Sequence, residues 1–291
     1  MSHIPQRKMA VINDFCGFGR CSLAVSLPII SASKIQCCPV PTSIFSNHTA
    51  YDSFFYTDYT VHMDAYIEEW KKLGLKFDGI LTGFLSSPEQ TEIVRRFLEY
   101  FKEEKTVVVV DPVMGDEGKF YTTYSPELAK QMRSLLTYAD ILTPNLTEAC
   151  ILTDTEYRKG MSNGELLEIC EKLKALGPKK IVISGLERER YLVNFVYEEG
   201  KEPVEVKSPI VGPPRAGTGD VFSSVIAAGT LSNIDFLTSV RHAALFIERA
   251  LLWTEELNVP TTDGICFEEV LADIGKIGGE VLEWNLKKEK E

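Results

Sequence analysis

Short apolar runs rich in β-branched residues alternate along this chain with longer stretches whose apolar residues recur at helical spacing. The runs predict strands at Met9–Asn13, Ile35–Val40, Gly79–Thr82, Thr106–Asp111, Ile141–Thr143, Lys180–Ser184 and Tyr191–Tyr197. The stretches between them predict helices at Cys21–Ser33, Met63–Leu73, Pro88–Glu103, Pro126–Leu136, Leu146–Leu152 and Asn163–Leu176, with another over Val221–Leu231. Ile93, Phe97 and Phe101, for example, fall four residues apart on one helical face. Runs such as Val107–Val110 are apolar throughout, as strands covered on both faces must be. The pattern predicts an α/β fold, a central and mostly parallel β-sheet flanked by helices on both faces. No repeat, low-complexity tract or long linker interrupts it, so one domain is expected over residues 1–291, with 1–8 and 283–291 as frayed ends. Ser46–Thr60, dense in Tyr and Phe, is the least regular part and reads as a lid or a small excursion from the sheet.

Composition narrows the partners. The 291 residues carry a net charge of -11, which argues against nucleic acid or an anionic membrane. No apolar run approaches the ~18 residues of a membrane span. Seven scattered cysteines, with no C-x-x-C pair, offer no disulfide or zinc framework and point to a reducing cytoplasm. Adjacent Cys37 and Cys38 read as small buried hydrophobes. An anionic ligand would need a local source of positive potential.

In a sheet of this kind ligands bind beyond the C-terminal strand ends. Those positions hold Asp14-Phe-Cys-Gly-Phe-Gly, Thr82-Gly-Phe84, Asp111-Pro-Val-Met-Gly-Asp116, Thr143-Pro-Asn145-Leu-Thr-Glu148 and Ser184-Gly185. The first is close to G-x-G-x-x-G, but Ser22 replaces the third glycine and no acidic residue ends the next strand, so a dinucleotide site is disfavoured. Asp14 then either faces a ligand pocket or caps the helix. There is no G-x-x-x-x-G-K-[ST], so phosphate would need another cradle. Ala216-Gly217-Thr218-Gly219-Asp220 is a candidate. Its glycines let successive N–H groups converge, the following helix adds its positive end, and Asp220 stands where it could take a proton from an attacking hydroxyl. The alternative is a plain glycine turn with Asp220 as a cap. Asp111, Asn145 and Glu148 are oxygen ligands of the kind that suit Mg²⁺; Asn145 with Glu148 equally reads as a capping box. Ser46-Asn-His48-Thr49-Ala-Tyr51 is a polar cluster among aromatics that either wall a flat ring or pack as core. Arg215, just before the glycines, either reaches a phosphate or points to solvent.

Together SNHTAY (46–51), LTG (81–83), DPVMGDEGKFY (111–121), ADILTPNLTEACIL (139–152) and GTGD (217–220) resemble the pyridoxal kinase family of the ribokinase-like superfamily, in consistent order from Val11 to about Gly229. The resemblance implies a homodimeric, cytoplasmic kinase that uses ATP and Mg²⁺, with K⁺ as an optional addition, to phosphorylate the 5′-hydroxymethyl group of pyridoxal, pyridoxine or pyridoxamine. It implies Asp220 as general base and the amides of Gly217, Thr218 and Gly219 as the anion hole. Asp111, Asn145 and Glu148 would organise the metal. Asp111, Thr143, Ser184, Gly185 and Arg215 would line the ATP groove. Asp14, Ser46, His48, Thr49 and Phe84 would surround the pyridine ring, and the 116–121 turn would be a flap over ATP. Phe84 stands where a family member may carry Tyr. The DFCGFG turn is closer to the related hydroxymethylpyrimidine kinases, which keeps that activity as the alternative. A non-catalytic vitamer-binding protein of the same fold is a third reading.

Overall fold

A computed structural model describes residues 6–121 and 124–276. Strand β1 (Lys8–Cys16) leads through α1 (Leu23–Ala32) to β2 (Gln36–Phe45) and the short β3 (Tyr56–Asp58). Then come α2 (Thr60–Lys72), β4 (Gly79–Thr82), α3 (Pro88–Phe101), β5 (Val107–Val110) and a small ribbon of β6 (Gly115–Asp116) and β7 (Lys119–Phe120). Helix α4 (Pro126–Leu135), β8 (Ile141–Leu142), α5 (Leu146–Leu152), α6 (Asn163–Lys174), β9 (Lys180–Arg188), β10 (Tyr191–Glu198) and β11 (Val204–Pro209) follow. The described chain ends with α7 (Thr218–Leu231), α8 (Phe236–Glu256) and two 3-10 stretches, Thr261–Asp263 and Phe267–Lys276.

Nine strands form one sheet in the order β11-β10-β9-β8-β5-β4-β1-β2-β3. The six from β9 to β2 run parallel, while β10, β11 and β3 are antiparallel additions at the two sides. Side chains alternate between two apolar layers, as pleating requires. Ala10 and Ile12 of β1 face the layer of α2 to α6, whereas Met9 and Val11 face α1, α7 and α8. The strand order turns back between β1 and β4, because β2 lies to one side of β1 and all later parallel strands to the other. Such a reversal opens a crevice at the strand ends. Asn13, Asp14 and Gly83 sit at its mouth, where the β1–β2 register shifts between Asn13 and Phe15.

The expected α/β sheet is therefore present, with three differences of detail. Residues 7 and 8 are not frayed: the Arg7 carbonyl accepts from Gln36 N at 2.8 Å and Lys8 opens β1. The expected frayed end at 283–291 lies outside the described residues. Strand β2 runs on to Phe45 through Pro39 and Pro41, which is tolerated because β3 pairs only with Ser43–Phe45 and leaves the prolines at an open edge. Cys37 and Cys38, expected to be buried, are half-buried on that strand.

Candidate active site

Among the described residues, five helices start on a side chain that satisfies their first turn. Ser87, Ser125, Asn145, Ser162 and Asp235 each accept from the N–H three residues on. Helices α1, α2 and α7 do not, and the cap of α7 is Gly217, at φ 83°, which has no side chain to offer. The N–H groups of the first turn of α7 are left for something else, at the positive end of the helix. A Cβ on Gly217 would stand 2.0 Å from the Arg20 carbonyl oxygen, so glycine alone lets the loop pass. A Cβ on Gly219 would meet nothing within 4 Å. The first glycine is needed to fit the protein, whereas the second borders open space of the kind a bound anion would use. Thr218 lies between them in the same turn, its hydroxyl donating to the Arg215 carbonyl at 3.2 Å.

Asp220 closes this turn. Desolvation raises its pKa above the ordinary carboxylate range. Two further carboxylates lie near it. Burial, reinforced by Asp220, pushes Asp14 up to about 7 and Asp111 up to about 8. Asp14 lies inside β1 and Ser22 is the residue that precedes α1, so Asp14 is not a helix cap. Glu148 is also raised well above its usual value, by burial and by Asp111. Carboxylates held this way charge readily only when a cation joins them. No three His, Cys, Asp or Glu among the described residues form a ready metal cage. Of the three expected ligands, Asp111 alone offers an oxygen donor of the kind that suits Mg²⁺, which keeps its waters and takes few protein ligands.

Asn145 and Glu148 make the capping box. The Asn145 Oδ1 accepts from Glu148 N at 2.9 Å and the Glu148 Oε2 accepts from Asn145 N at 2.8 Å. Glu148 Oε1 accepts from Met114 N at 3.1 Å, and Asn145 Nδ2 donates to Gly115 O at 2.8 Å. The box thus anchors the β6–β7 ribbon, a hairpin turning at Glu117 and Gly118 within the stretch where a flap is expected. Thr143, buried at the end of β8, has a hydroxyl without a hydrogen-bond partner. Ser184 pairs with Asn145 across the strand ends, and Gly185 follows it at φ 72°.

Arg215 takes neither of the places open to it from sequence. Its side chain is 4% exposed, so it does not point to solvent. Its guanidinium donates to the carbonyls of Val259 and Pro260 at 2.9 and 3.0 Å and to Glu255 at 2.8 Å. It braces the loop after α8. A planar fork meets two carbonyls and a carboxylate better than it would meet water.

That loop is a part of the site that no sequence motif marks. His48 Nε2 lies 2.6 Å from the Thr262 carbonyl, and its Nδ1 accepts from Ala50 N at 3.2 Å. With Nδ1 accepting, Nε2 carries the proton and donates to Thr262. Tyr51 donates its hydroxyl to Asp263 Oδ1 at 2.8 Å. Ser46 Oγ accepts from Phe55 N at 2.9 Å and donates to Asn47 Oδ1 at 2.7 Å, while Thr49 is exposed. The 46–51 segment is a clasp joined to residues 262–263. Beside it, Phe45 stacks on Tyr56 with ring centroids 5.2 Å apart and meets Phe84 edge-on at 6.5 Å. Asn13, which from sequence is only a strand end, links the two sides. Its Nδ2 donates to Asp220 Oδ1 at 3.1 Å, and its Oδ1 accepts from Phe84 N at 2.8 Å and Asp14 N at 3.0 Å.

Comparison with known proteins places the fold in a family. A family model described as phosphomethylpyrimidine kinase matches residues 30–264. The chloroplastic thiamine biosynthetic bifunctional enzyme TH1 of Arabidopsis thaliana is 29% identical over 243 residues, which is 81% of this chain but 44% of that protein, so the chain spans less than half of it. Sheep (Ovis aries) pyridoxal kinase is 30% identical over 209 residues, 64% of this chain and 65% of its own. The crystal structure of a candidate phosphomethylpyrimidine kinase from Bacteroides thetaiotaomicron superposes with a TM-score of 0.91 at 36% identity, covering 94% of this chain and 96% of the other. A second crystal form of that protein, solved with pyridoxal, gives a TM-score of 0.89 over 92% and 96% of the two chains. The chain belongs to the phosphomethylpyrimidine kinase family, the ribokinase-like kinases that also include the pyridoxal kinases.

Proposed function

We propose that this kinase transfers the γ-phosphoryl group of ATP to the 5′-hydroxymethyl group of a vitamin B6 vitamer, pyridoxal, pyridoxine or pyridoxamine, giving the 5′-phosphate and ADP. The observation that carries the chemistry is the start of α7, where uncapped amides and open space at Gly219 adjoin the desolvated Asp220. The vitamer oxygen attacks the γ-phosphorus, the bond from that phosphorus to the β–γ bridging oxygen breaks, and the hydroxyl proton passes to Asp220. Little covalent help is needed; alignment, charge neutralisation and a proton acceptor suffice. The first-turn amides of Gly217, Thr218 and Gly219 face the phosphoryl group as its charge shifts. Asp111, supported by Asn145 and Glu148, would hold the accompanying Mg²⁺, which neutralises phosphate charge. Thr143, Ser184 and Gly185 line the nucleotide side, and the Thr143 hydroxyl lies toward the Asp111 carboxylate. Arg215 has no part in this reading because its guanidinium is occupied by Glu255 and two carbonyls.

Pyridoxal is favoured as the ring because a 36% identical relative was crystallised with it. Asp14 and Phe84 are the ring contacts of this reading, and Ser46, His48 and Thr49 belong to the clasp that shapes the wall. A cytoplasmic homodimer belongs to the same reading. A second reading, phosphorylation of hydroxymethylpyrimidine or its phosphate, is favoured by the family description and by the thiamine biosynthetic relative. The test is Mg·ATP turnover with pyridoxal, pyridoxamine, pyridoxine and hydroxymethylpyrimidine in parallel. The vitamers are expected to exceed the pyrimidine in kcat/KM. Turnover of the pyrimidine alone would transfer the chain to the second reading.

A further inference from the structure

We propose that Asn13 is a positioning residue that aims the Asp220 carboxylate and ties it to the wall of the ring pocket. The inference rests on Asp220 as the base. Three hydrogen bonds carry it. The Asn13 amide oxygen accepts from two backbone N–H groups, Phe84 at 2.8 Å and Asp14 at 3.0 Å. Backbone amides only donate, so these contacts fix which way the side chain faces and leave its NH₂ turned toward Asp220 Oδ1, 3.1 Å away. Asn13 is 4% exposed, so it is shielded from bulk solvent.

The surroundings are built around this amide. A Cβ on Gly83 would stand 2.5 Å from the Asn13 side chain, so the glycine of LTG makes room for it. Asn13 lies on β1 and Gly83 follows β4, the two strands that flank the reversal of the sheet. One side chain thus connects the strand reversal, the backbone of the aromatic wall residue Phe84 and the first turn of α7. The Ser22 amide also donates to the Asp220 carboxylate; Asn13 is the side-chain donor that, with it, removes the freedom of Asp220 to swing. That is a device for aligning a base within a fraction of an ångström, where misplacement is costly in rate.

The test compares Asn13→Asp with Asn13→Ala, using pyridoxal and hydroxymethylpyrimidine with Mg·ATP. Asn13→Asp keeps an acceptor for the Phe84 and Asp14 amides but turns an oxygen toward Asp220 in place of the NH₂. If Asn13 acts through Asp220, Asn13→Asp retains a melting temperature closer to wild type than Asn13→Ala does. It nevertheless loses at least as much kcat, roughly 10- to 100-fold, the worth of one hydrogen bond to a charged group. KM for ATP stays within about twofold. In an Asp220→Asn background, Asn13→Asp causes no further loss, because the effects of residues acting as a unit do not multiply. A merely structural tether predicts the reverse order, with Asn13→Ala the slower enzyme and Asn13→Asp near wild type; that order overturns the proposal. Multiplying losses in the double variant would also overturn it while leaving the base intact. Wild-type turnover by Asp220→Asn, or no turnover of either alcohol by the unaltered chain, would remove the base reading and Asn13's role with it.

Discussion

Around Asp220 the chain leaves polar groups short of partners, whereas around His48 it satisfies them. On the first side stand the uncapped start of α7, the partnerless hydroxyls of Thr82 and Thr143, and a set of carboxylates raised by burial and by one another. On the second, both ring nitrogens of His48, the hydroxyl of Tyr51 and that of Ser46 all have protein partners. Unpaired buried polar groups cost stability, and they persist where a ligand completes them. The difference assigns the work. On the proposed reading, the Asp220 side supplies chemistry to a charged ligand, and the His48 side supplies a shape already finished before anything binds.

The widest separation of the two roles lies within the glycine turn itself. Gly219→Ala adds a methyl where the protein has open space and replaces glycine in a helix, so stability should rise by up to about 1 kcal/mol. The methyl occupies the anion's room, and kcat should fall toward the ~10²-fold loss of one oxyanion contact. Gly217→Ala should act oppositely, through the fold: a residue other than glycine at φ 83° costs about 1–3 kcal/mol before its clash with the Arg20 carbonyl is added. Melting temperature and kcat measured on both variants would separate them, and similar losses of stability in the two would break the distinction.

A smaller effect sharpens the electrostatic half. Asp111 titrates near 8 in the folded chain against an ordinary 3.8, and Asp14 near 7. Below about pH 4 both folded and unfolded chains hold these protons, so burial costs nothing there. As pH rises toward 8 the unfolded chain releases them first, and stability falls through that window. Asp111→Asn removes the larger part of this cost. In thermal melts without ligand, its advantage over wild type should widen from pH 5 to pH 8. A gap that stays constant would mean the carboxylate is not desolvated. The smallest effect belongs to the clasp. Tyr51→Phe removes one hydrogen bond to Asp263, worth about 1 kcal/mol. It should raise KM for the vitamer a few-fold and leave KM for ATP and kcat nearly unchanged. A fall in kcat instead would place the clasp in the chemistry.

Much of this molecule is legible in its amino-acid sequence. Apolar runs such as Val107–Val110 and capped helices such as Pro88–Phe101 announce themselves locally, because Ser87 and Pro88 are a start signal in their own right. The 21-residue α8 carries such a signal too, in Asp235 followed by Phe236, Val240, Ala243 and Ile247 at helical spacing, yet the expected helices stop at Leu231. Strand β2 is expected to stop before Pro41, and only the limited pairing of β3 shows that Pro39 and Pro41 lie where no neighbour needs their N–H. GTGD and the carboxylate turns are legible as chemistry because glycines and carboxylates gather at the C-terminal strand ends, where such sheets bind ligands. Asn13 is not: an asparagine at a strand end looks ordinary until Asp220, 207 positions on, is folded against it. Thr262 enters only through its backbone carbonyl, which carries no sequence signal at all. Arg215 shows the converse, a residue whose position in sequence suggests phosphate and whose burial gives it to Glu255.

On the proposed reading, the start of α7 and Asp220 together move a phosphoryl group onto an alcohol. The most direct measurement is a single-turnover rapid-quench experiment with Mg·ATP labelled at the γ-phosphate and pyridoxal, run on the wild-type chain and on Asp220→Asn. Wild type should transfer the label to pyridoxal in one enzyme turnover. Asp220→Asn should bind both substrates, melt no lower than wild type, and transfer the label roughly 10²–10⁴-fold more slowly, the range for a positioned base. Transfer at the wild-type rate by that variant would contradict the account.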